Sequence, residues 1–387
     1  MLVFSTKAST LKLLSGQLRS ARIAPLVSFT VAEWRQRREA VLASVAGSGF
    51  GGGELIVRSS CGQEDAAFSS NAGAFLSIQG VKLAGVGEAI DQVIASYGNA
   101  VPTDEVLVQP MLHGVVRAGV AFSHDPNTKA PYRVINWTEG SSTASVTAGL
   151  AGRTWQAAAL SLRPPPPHLA PVVGLLSELL ELFGAPVDCE FAVTRESAGE
   201  VLWLLQARPL VLVGPLQSAD QQAGKLRLVA EKVERGMRQH PFLMGQRTVY
   251  GVMPDWNPAE IIGVRPKALA LSLYRELVTD STWAYQRNNY GYRNLRSHPL
   301  MPHFFGLPYI DVRLSFNSFI PADLDDGLAG RLVDHYIDRL LAEPTLHDKV
   351  EFDIVFSCYT LDLPERLKRL EEVGFTAPEC AAVADAL

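Results

Sequence analysis

Asp188-Cys189-Glu190, with Leu205-Gln206-Ala207-Arg208-Pro209 after it and Val57-Arg58-Ser59-Ser60 far upstream, decides how this chain is read. Side chains alternate between the faces of a strand, so Asp188 and Glu190 share one face and Cys189 takes the other. Two carboxylates side by side are hard oxygen donors suited to a divalent cation such as Mg²⁺. Arg58 and Arg208 are the matching phosphate clamps. Together they supply what phosphoryl chemistry on a metal-bound nucleotide needs, where the protein mainly positions groups and neutralises charge.

Around these segments the periodicity alternates between strand and helix. Leu55-Ile56-Val57 and Val106-Leu107-Val108-Gln109-Pro110-Met111 read as buried strands, with a helix over 87–97 between them. The stretch Ser59 to Gly73 is polar and small, a composition able to wrap backbone amides around phosphate oxygens. Thr30, three residues before Glu33, predicts a capped helix start. Gly49-Phe50-Gly51-Gly52-Gly53 lacks the spacing and Lys of a phosphate loop and precedes its strand, so it reads as a connector.

From residue 115 the pattern turns to successive strands, Val116 to Phe122, Tyr132 to Trp137 and Ser145 to Ala148, with a turn at Asp125-Pro126-Asn127-Thr128. Pro164-Pro165-Pro166-Pro167 is a stiff connector into an apolar helix, Val172 to Phe183. The strand of Asp188 follows, and Val201 to Gln206 is its hairpin partner. An amphipathic helix from Val213 to about Arg238 and a composition change place a domain boundary near residue 215.

A chain of 387 residues, 47% hydrophobic and 19% charged, has the composition of a globular protein of two or three domains. Its net charge of -5 argues against a nucleic-acid partner held by a basic face. The cysteines, Cys61, Cys189, Cys358 and Cys380, form no paired spacing for zinc or a disulfide framework. With no signal peptide and no apolar run of membrane length, the expected location is cytoplasmic and no membrane partner is expected.

Five segments in order and spacing resemble the nucleotide-binding, ATP-grasp part of the phosphoenolpyruvate synthase and pyruvate phosphate dikinase family. They are Thr6-Lys7-Ala8; Val57-Arg58-Ser59-Ser60 with Glu64-Asp65; Ala72-Gly73; Gly119 to Pro126; and Asp188-Cys189-Glu190 with Gln206-Ala207-Arg208-Pro209. The resemblance implies an α+β fold, a two-lobed ATP-grasp nucleotide-binding domain followed by a mainly α-helical second domain. The lobes would span 1–110 and 111–215, the second carrying the metal site, with a linker helix and middle domain over 216–387.

Carried over residue by residue, the resemblance implies ATP and Mg²⁺ as cofactors. Lys7 and Arg58 would contact phosphates, and Ser59 and Gly73 would help bind the nucleotide. Asp188, Glu190 and Gln206 would hold the metal or nucleotide, and Arg208 would stabilise the transferring phosphoryl group. Gln109 and Met111 fall where the family's hinge meets adenine, although a plain core strand explains Met111 equally well. Taken alone, a near-terminal Lys such as Lys7 is most often solvated surface, and single arginines usually make surface pairs.

The chain also departs from the family. His124 stands where many members have Arg or Thr before Asp-Pro, and Trp137-Thr138-Glu139-Gly140-Ser141-Ser142-Thr143 replaces a Gly-rich nucleotide loop. Of eight histidines only His124 and His298 follow a Ser, and no Gly pair precedes either. The expectation is that the phosphohistidine carrier domain is absent and acts in cis or trans from elsewhere, the polypeptide being truncated or split.

Beyond residue 240, the runs Gly251 to Gly263, Pro308 to Phe319 and Asp348 to Ile354 are similar to the L-glutamine kinase branch associated with capsule polysaccharide. That implies a phosphotransferase passing phosphate through the carrier to a small-molecule acceptor, glutamine amide, with pyruvate as the alternative. Asp255, Asn257, Arg293, Asp311, Arg313 and Asn317 among aromatics suit an acceptor site or, equally, a polar interface. A non-catalytic ATP-sensing module is the rival from another class.

Overall fold

The computed structural model describes residues 1–50, 52–61, 76–140, 152–254, 256–357 and 360–387. The chain is mixed α+β and divides into two compact units, Met1–Lys225 and Leu226–Leu387. The division falls inside a long helix, Ala219–Met237, so the composition change near residue 215 marks the approach to that helix and not the change of unit. Among the described residues no helix is long and apolar enough to cross a membrane.

Among the described residues the first unit holds two antiparallel sheets. One has the order β1 (Val27–Thr30), β4 (Glu105–Pro110), β2 (Leu55–Ser60), β3 (Ser77–Val81). Leu55 and Val57 on β2, Cys61 just after it, and Val106 and Val108 on β4 share one face, which packs on α2 (Val31–Gln36), α3 (Arg38–Gly47) and α4 (Val86–Ser96). Thr30 closes a reciprocal capping box with Glu33, satisfying two amides that a helix start leaves open.

The second sheet has the order β7 (Arg153–Ala158), β6 (Tyr132–Glu139), β5 (Val115–Phe122), β8 (Val187–Glu196), β9 (Gly199–Pro209). β7 lies where the sequence reading placed no strand, and the expected strand Ser145 to Ala148 lies outside the described residues. Ala121, Ile135, Cys189, Phe191, Leu204 and Ala207 line the core face, against α1 (Lys7–Leu14) and α5 (Ala170–Phe183). α5 buries Val172, Leu175, Leu176, Leu179 and Phe183, an i, i+3, i+4, i+7 stripe, and each fully buried leucine contributes about 2 kcal/mol. Gly184 ends it in the left-handed region at φ +66°.

The second unit is mainly helical. Phe316, Tyr336 and Phe356 centre one core, with Tyr336 set edge-on to Phe316. A second core gathers Leu271, Tyr274, Trp283, Leu300, Ile310 and Leu314.

Candidate functional site

The side of the first sheet opposite α2–α4 carries Arg58, Ser60, Glu105, Leu107 and Gln109, because β2 and β4 pair Ile56 with Gln109, Arg58 with Leu107 and Ser60 with Glu105. α1 is pinned to this face. Its N-cap Thr6 donates to the Glu105 carboxylate, Ser9 Oγ donates to Glu105 Oε2 at 3.2 Å, and the Ala8 amide donates to Ser60 Oγ at 2.9 Å. Lys7, the first residue of α1, is thereby held in the interior at 4% exposure.

On the second sheet the register sets Asp188 opposite Arg208 and Glu190 opposite Gln206. The next pair is Phe191 with Leu204, so Leu205 is an extra residue in β9. This bulge changes the parity of the strand. Leu202 and Leu204 turn to the core, while Gln206 and Arg208 join Asp188 and Glu190 on the other face. The bulged residue supplies its carbonyl to the site, where Leu205 O accepts from Arg58 Nη1 at 3.1 Å.

Arg58 crosses from the first sheet to the second, with Nη2 3.3 Å from Glu190 Oε2. Arg208 Nε donates to both Asp188 oxygens, at 2.7 and 2.9 Å. The side chains of Arg58, Glu190, Arg208 and Asp188 are 11, 23, 21 and 11% exposed. Two carboxylates and two guanidiniums thus balance one another where water screens them less than at an open surface. Behind them, burial pushes the Cys189 thiol up, and the Asp188 and Glu190 carboxylates add to the effect, so Cys189 stays a neutral packing group.

Arg58, Asp188, Glu190, Gln206 and Arg208 are therefore brought together. Ser59 is not, since it shares the buried face of Val57 and Cys61, opposite Arg58. Gln109 lies on the Arg58 face, 5% exposed, with its amide donating to Ala24 O at 3.2 Å. Met111 follows the strand and its backbone N–H donates to Glu54 O at 2.8 Å. Gly73, Glu64, Asp65 and Ser141 to Thr143 lie outside the described residues. The sequence reading quotes Ser60 without a role and does not find the Leu205 bulge.

The polar residues expected to receive an acceptor in the second unit are largely spent on its own fold. Arg313, 3% exposed, donates to Arg238 O at 2.9 Å and Gly236 O at 3.0 Å. Asn317, fully buried, bridges Met244 and Arg313. Asp311 accepts from Thr248 Oγ1 at 2.7 Å and the Leu314 amide at 3.1 Å, capping a short helix. Asn257 likewise caps Pro258–Ile262. Arg293 pairs with Asp326 at 2.9 Å, and Asp255 lies outside the described residues. Buried polar side chains need partners, and Asn317, Asp311 and the two Nη groups of Arg313 find them in neighbouring backbone and side chains.

The donor set on the β8–β9 face is all oxygen, two carboxylates and the Gln206 amide. Among the described residues no group of three or more His, Cys, Asp or Glu is placed to hold a metal. Mg²⁺ commonly uses one or two carboxylates and keeps its other positions for water and phosphate oxygens, so these residues fit it in company with a nucleotide.

No family model and no curated protein matches the chain. Among solved structures it is similar to D-alanine-D-alanine ligase from Helicobacter pylori, at 16% identity over 53% of this chain and 54% of that one, with a TM-score of 0.33. It is also similar to ATP citrate lyase from Methanothrix soehngenii, solved with citrate and coenzyme A, at 12% identity over 58% and 53% with a TM-score of 0.33. N5-carboxyaminoimidazole synthetase from Staphylococcus aureus, solved also with ADP, matches at 10% identity over 52% of this chain and 43% of that one, with a TM-score of 0.29. The chain spans about half the length of these structures, and likeness at this level assigns neither a reaction nor a site.

Proposed function

We propose that Met1–Lys225 is an ATP-grasp nucleotide-binding unit that takes ATP with Mg²⁺, within an enzyme of phosphoenolpyruvate-synthase-like phosphotransfer. The observation that carries this reading is the meeting of Arg58, from one sheet, with Glu190, from the other, beside the Asp188–Arg208 pair. Asp188, Glu190 and the Gln206 amide oxygen would hold the cation. Arg58 and Arg208 would turn their guanidinium donors from the carboxylates to the phosphates, an exchange of partners that strands no charge. The bound Mg²⁺ supplies neutralisation of phosphate charge.

The acceptor in this reading is glutamine, with pyruvate as the alternative, reached through a phosphohistidine carrier domain acting in cis or trans. A non-catalytic ATP sensor is the second reading, favoured by the closed Arg–carboxylate pairs. Phosphorus NMR of Mg-ATP with this chain and a separately supplied carrier domain separates the readings. AMP and phosphate accumulate if the phosphotransfer reading holds. ADP formation with an acceptor alone argues for a ligase-type reaction instead, and unchanged ATP that still binds argues for the sensor.

A further inference from the structure

α1 joins the two sheets of the first unit. Its Ala8, Leu11 and Leu14 belong to the core that backs the second sheet. Its first turn is held by the first sheet instead. The Glu105 carboxylate on β4 sits between Thr6 and Ser9: Thr6 Oγ1 donates to Oε2, and Ser9 Oγ donates to Oε2 at 3.2 Å and Oε1 at 3.4 Å. Residues three apart at a helix start share a face, so one carboxylate holds both hydroxyls. The Ala8 amide adds its bond to Ser60 Oγ at 2.9 Å. Before the turn, the Ser5 amide donates to Thr10 Oγ1 at 3.0 Å and the Thr10 hydroxyl donates to Ser5 O at 3.1 Å, which fixes the entry into the helix.

The sheet side of this contact is braced as well. Tyr97 Oη donates to Glu105 O at 2.6 Å and accepts from the Ser60 amide at 3.2 Å, tying together the two strand ends that hold α1. Lys7 lies inside the latch, buried while Thr6 and Ser9 on either side stay half-exposed. Ser60 is two residues beyond Arg58 on the same face of β2, about 7 Å along the strand. The turn that carries Lys7 is therefore fixed on the face from which Arg58 reaches Glu190.

We propose that Glu105 is a positioning residue of the nucleotide site: by holding Thr6 and Ser9 it sets Lys7 where the ammonium meets the nucleotide phosphates beside Arg58. The inference rests on the nucleotide reading above and adds to it a residue outside the group of Arg58, Asp188, Glu190, Gln206 and Arg208. Glu105 touches no phosphate in this account. Its charge is taken up by two hydroxyls and by the start of a helix, where a carboxylate is favoured. An ammonium is a point charge on a flexible stem, so what it contributes to a phosphate depends on where its backbone is fixed.

The test is calorimetric titration of the whole chain with a non-hydrolysable ATP analogue and Mg²⁺, on the parent, Glu105→Gln, Glu105→Ala, Lys7→Gln and the Glu105→Ala/Lys7→Gln double variant. Glu105→Ala and Lys7→Gln are each expected to weaken binding about tenfold. Glu105→Gln, whose amide oxygen still accepts from the two hydroxyls, should stay within about threefold of the parent. The double variant should bind no more weakly than Lys7→Gln alone, because Glu105 acts through Lys7; a merely structural role would make the two losses add. If Glu105→Ala fails to fold, Thr6→Ala, which removes a donor from the same carboxylate, carries the same cycle with Lys7→Gln. The proposal is overturned, and the nucleotide reading left standing, if the parent binds and either single loss is missing or the two losses add. A folded parent that does not bind removes the nucleotide reading and this inference with it.

Discussion

Arg58 on the first sheet and Glu190 on the second lie 3.3 Å apart, and the same guanidinium holds the carbonyl of the bulged Leu205 at 3.1 Å. One side chain therefore ties the two sheets of the first unit together. Removing Glu190 leaves a largely buried guanidinium short of its counter-charge. Glu190→Ala should lower unfolding stability by about 1–2 kcal/mol, less than a fully buried pair would lose because Glu190 keeps some solvent. A double-mutant cycle with Arg58→Met in urea denaturation measures this, and the double variant should recover part of the loss.

Gly119 sits in the middle of β5, where an added Cβ would come within 2.2 Å of Asn136 O and 2.9 Å of the Phe191 ring. The oxygen belongs to a paired strand and has little room to move. Gly119→Ala is expected to cost about 3 kcal/mol, seen as a lower urea midpoint at an unchanged slope.

Asp91 accepts from Arg38 Nη2 at 2.7 Å and from Trp34 Nε1 at 2.8 Å, and these bonds, Arg38 first, hold its carboxyl below the usual value of 3.8. A depressed carboxyl contributes stability that is present above 3.8 and is lost as pH falls through the folded value. Asp91→Asn should therefore be less stable than the parent at neutral pH, with the difference shrinking as pH drops below 3.8. Thermal melts across an acid series read this directly.

Cys189 is 2% exposed with its thiol pushed up by burial, so it should resist alkylation in the folded chain. Mass spectrometry after timed iodoacetamide exposure is expected to find Cys189 modified only at the rate of unfolding.

Much of the frame is legible from local chemistry. Thr30 and Glu33 announce a capping box, and the apolar stripe from Val172 to Phe183 announces the helix that backs the second sheet. The Leu205 bulge is harder, because alternation alone runs Leu204 and Gln206 on one face. Its trace is the spacing of core positions, Leu202, Leu204, then Ala207, a step of two followed by a step of three. β7 was missed because Arg153 to Ala158 mixes charged, polar and aromatic residues on an edge strand, where burial does not impose a pattern. Arg313 and Asn317 look like ligand-binding groups in sequence, since residue type does not reveal that backbone carbonyls of the same unit already take both Nη groups of Arg313 and the Asn317 amide.

The central claim is that Arg58, Asp188, Glu190, Gln206 and Arg208 form a nucleotide and metal site. Calorimetric titration with a non-hydrolysable ATP analogue, with and without Mg²⁺, on the parent and on Arg58→Ala and Glu190→Ala tests it most directly. The account predicts magnesium-dependent binding that weakens about tenfold or more in each folded variant. Binding that ignores both substitutions, or no binding by the folded parent, contradicts it.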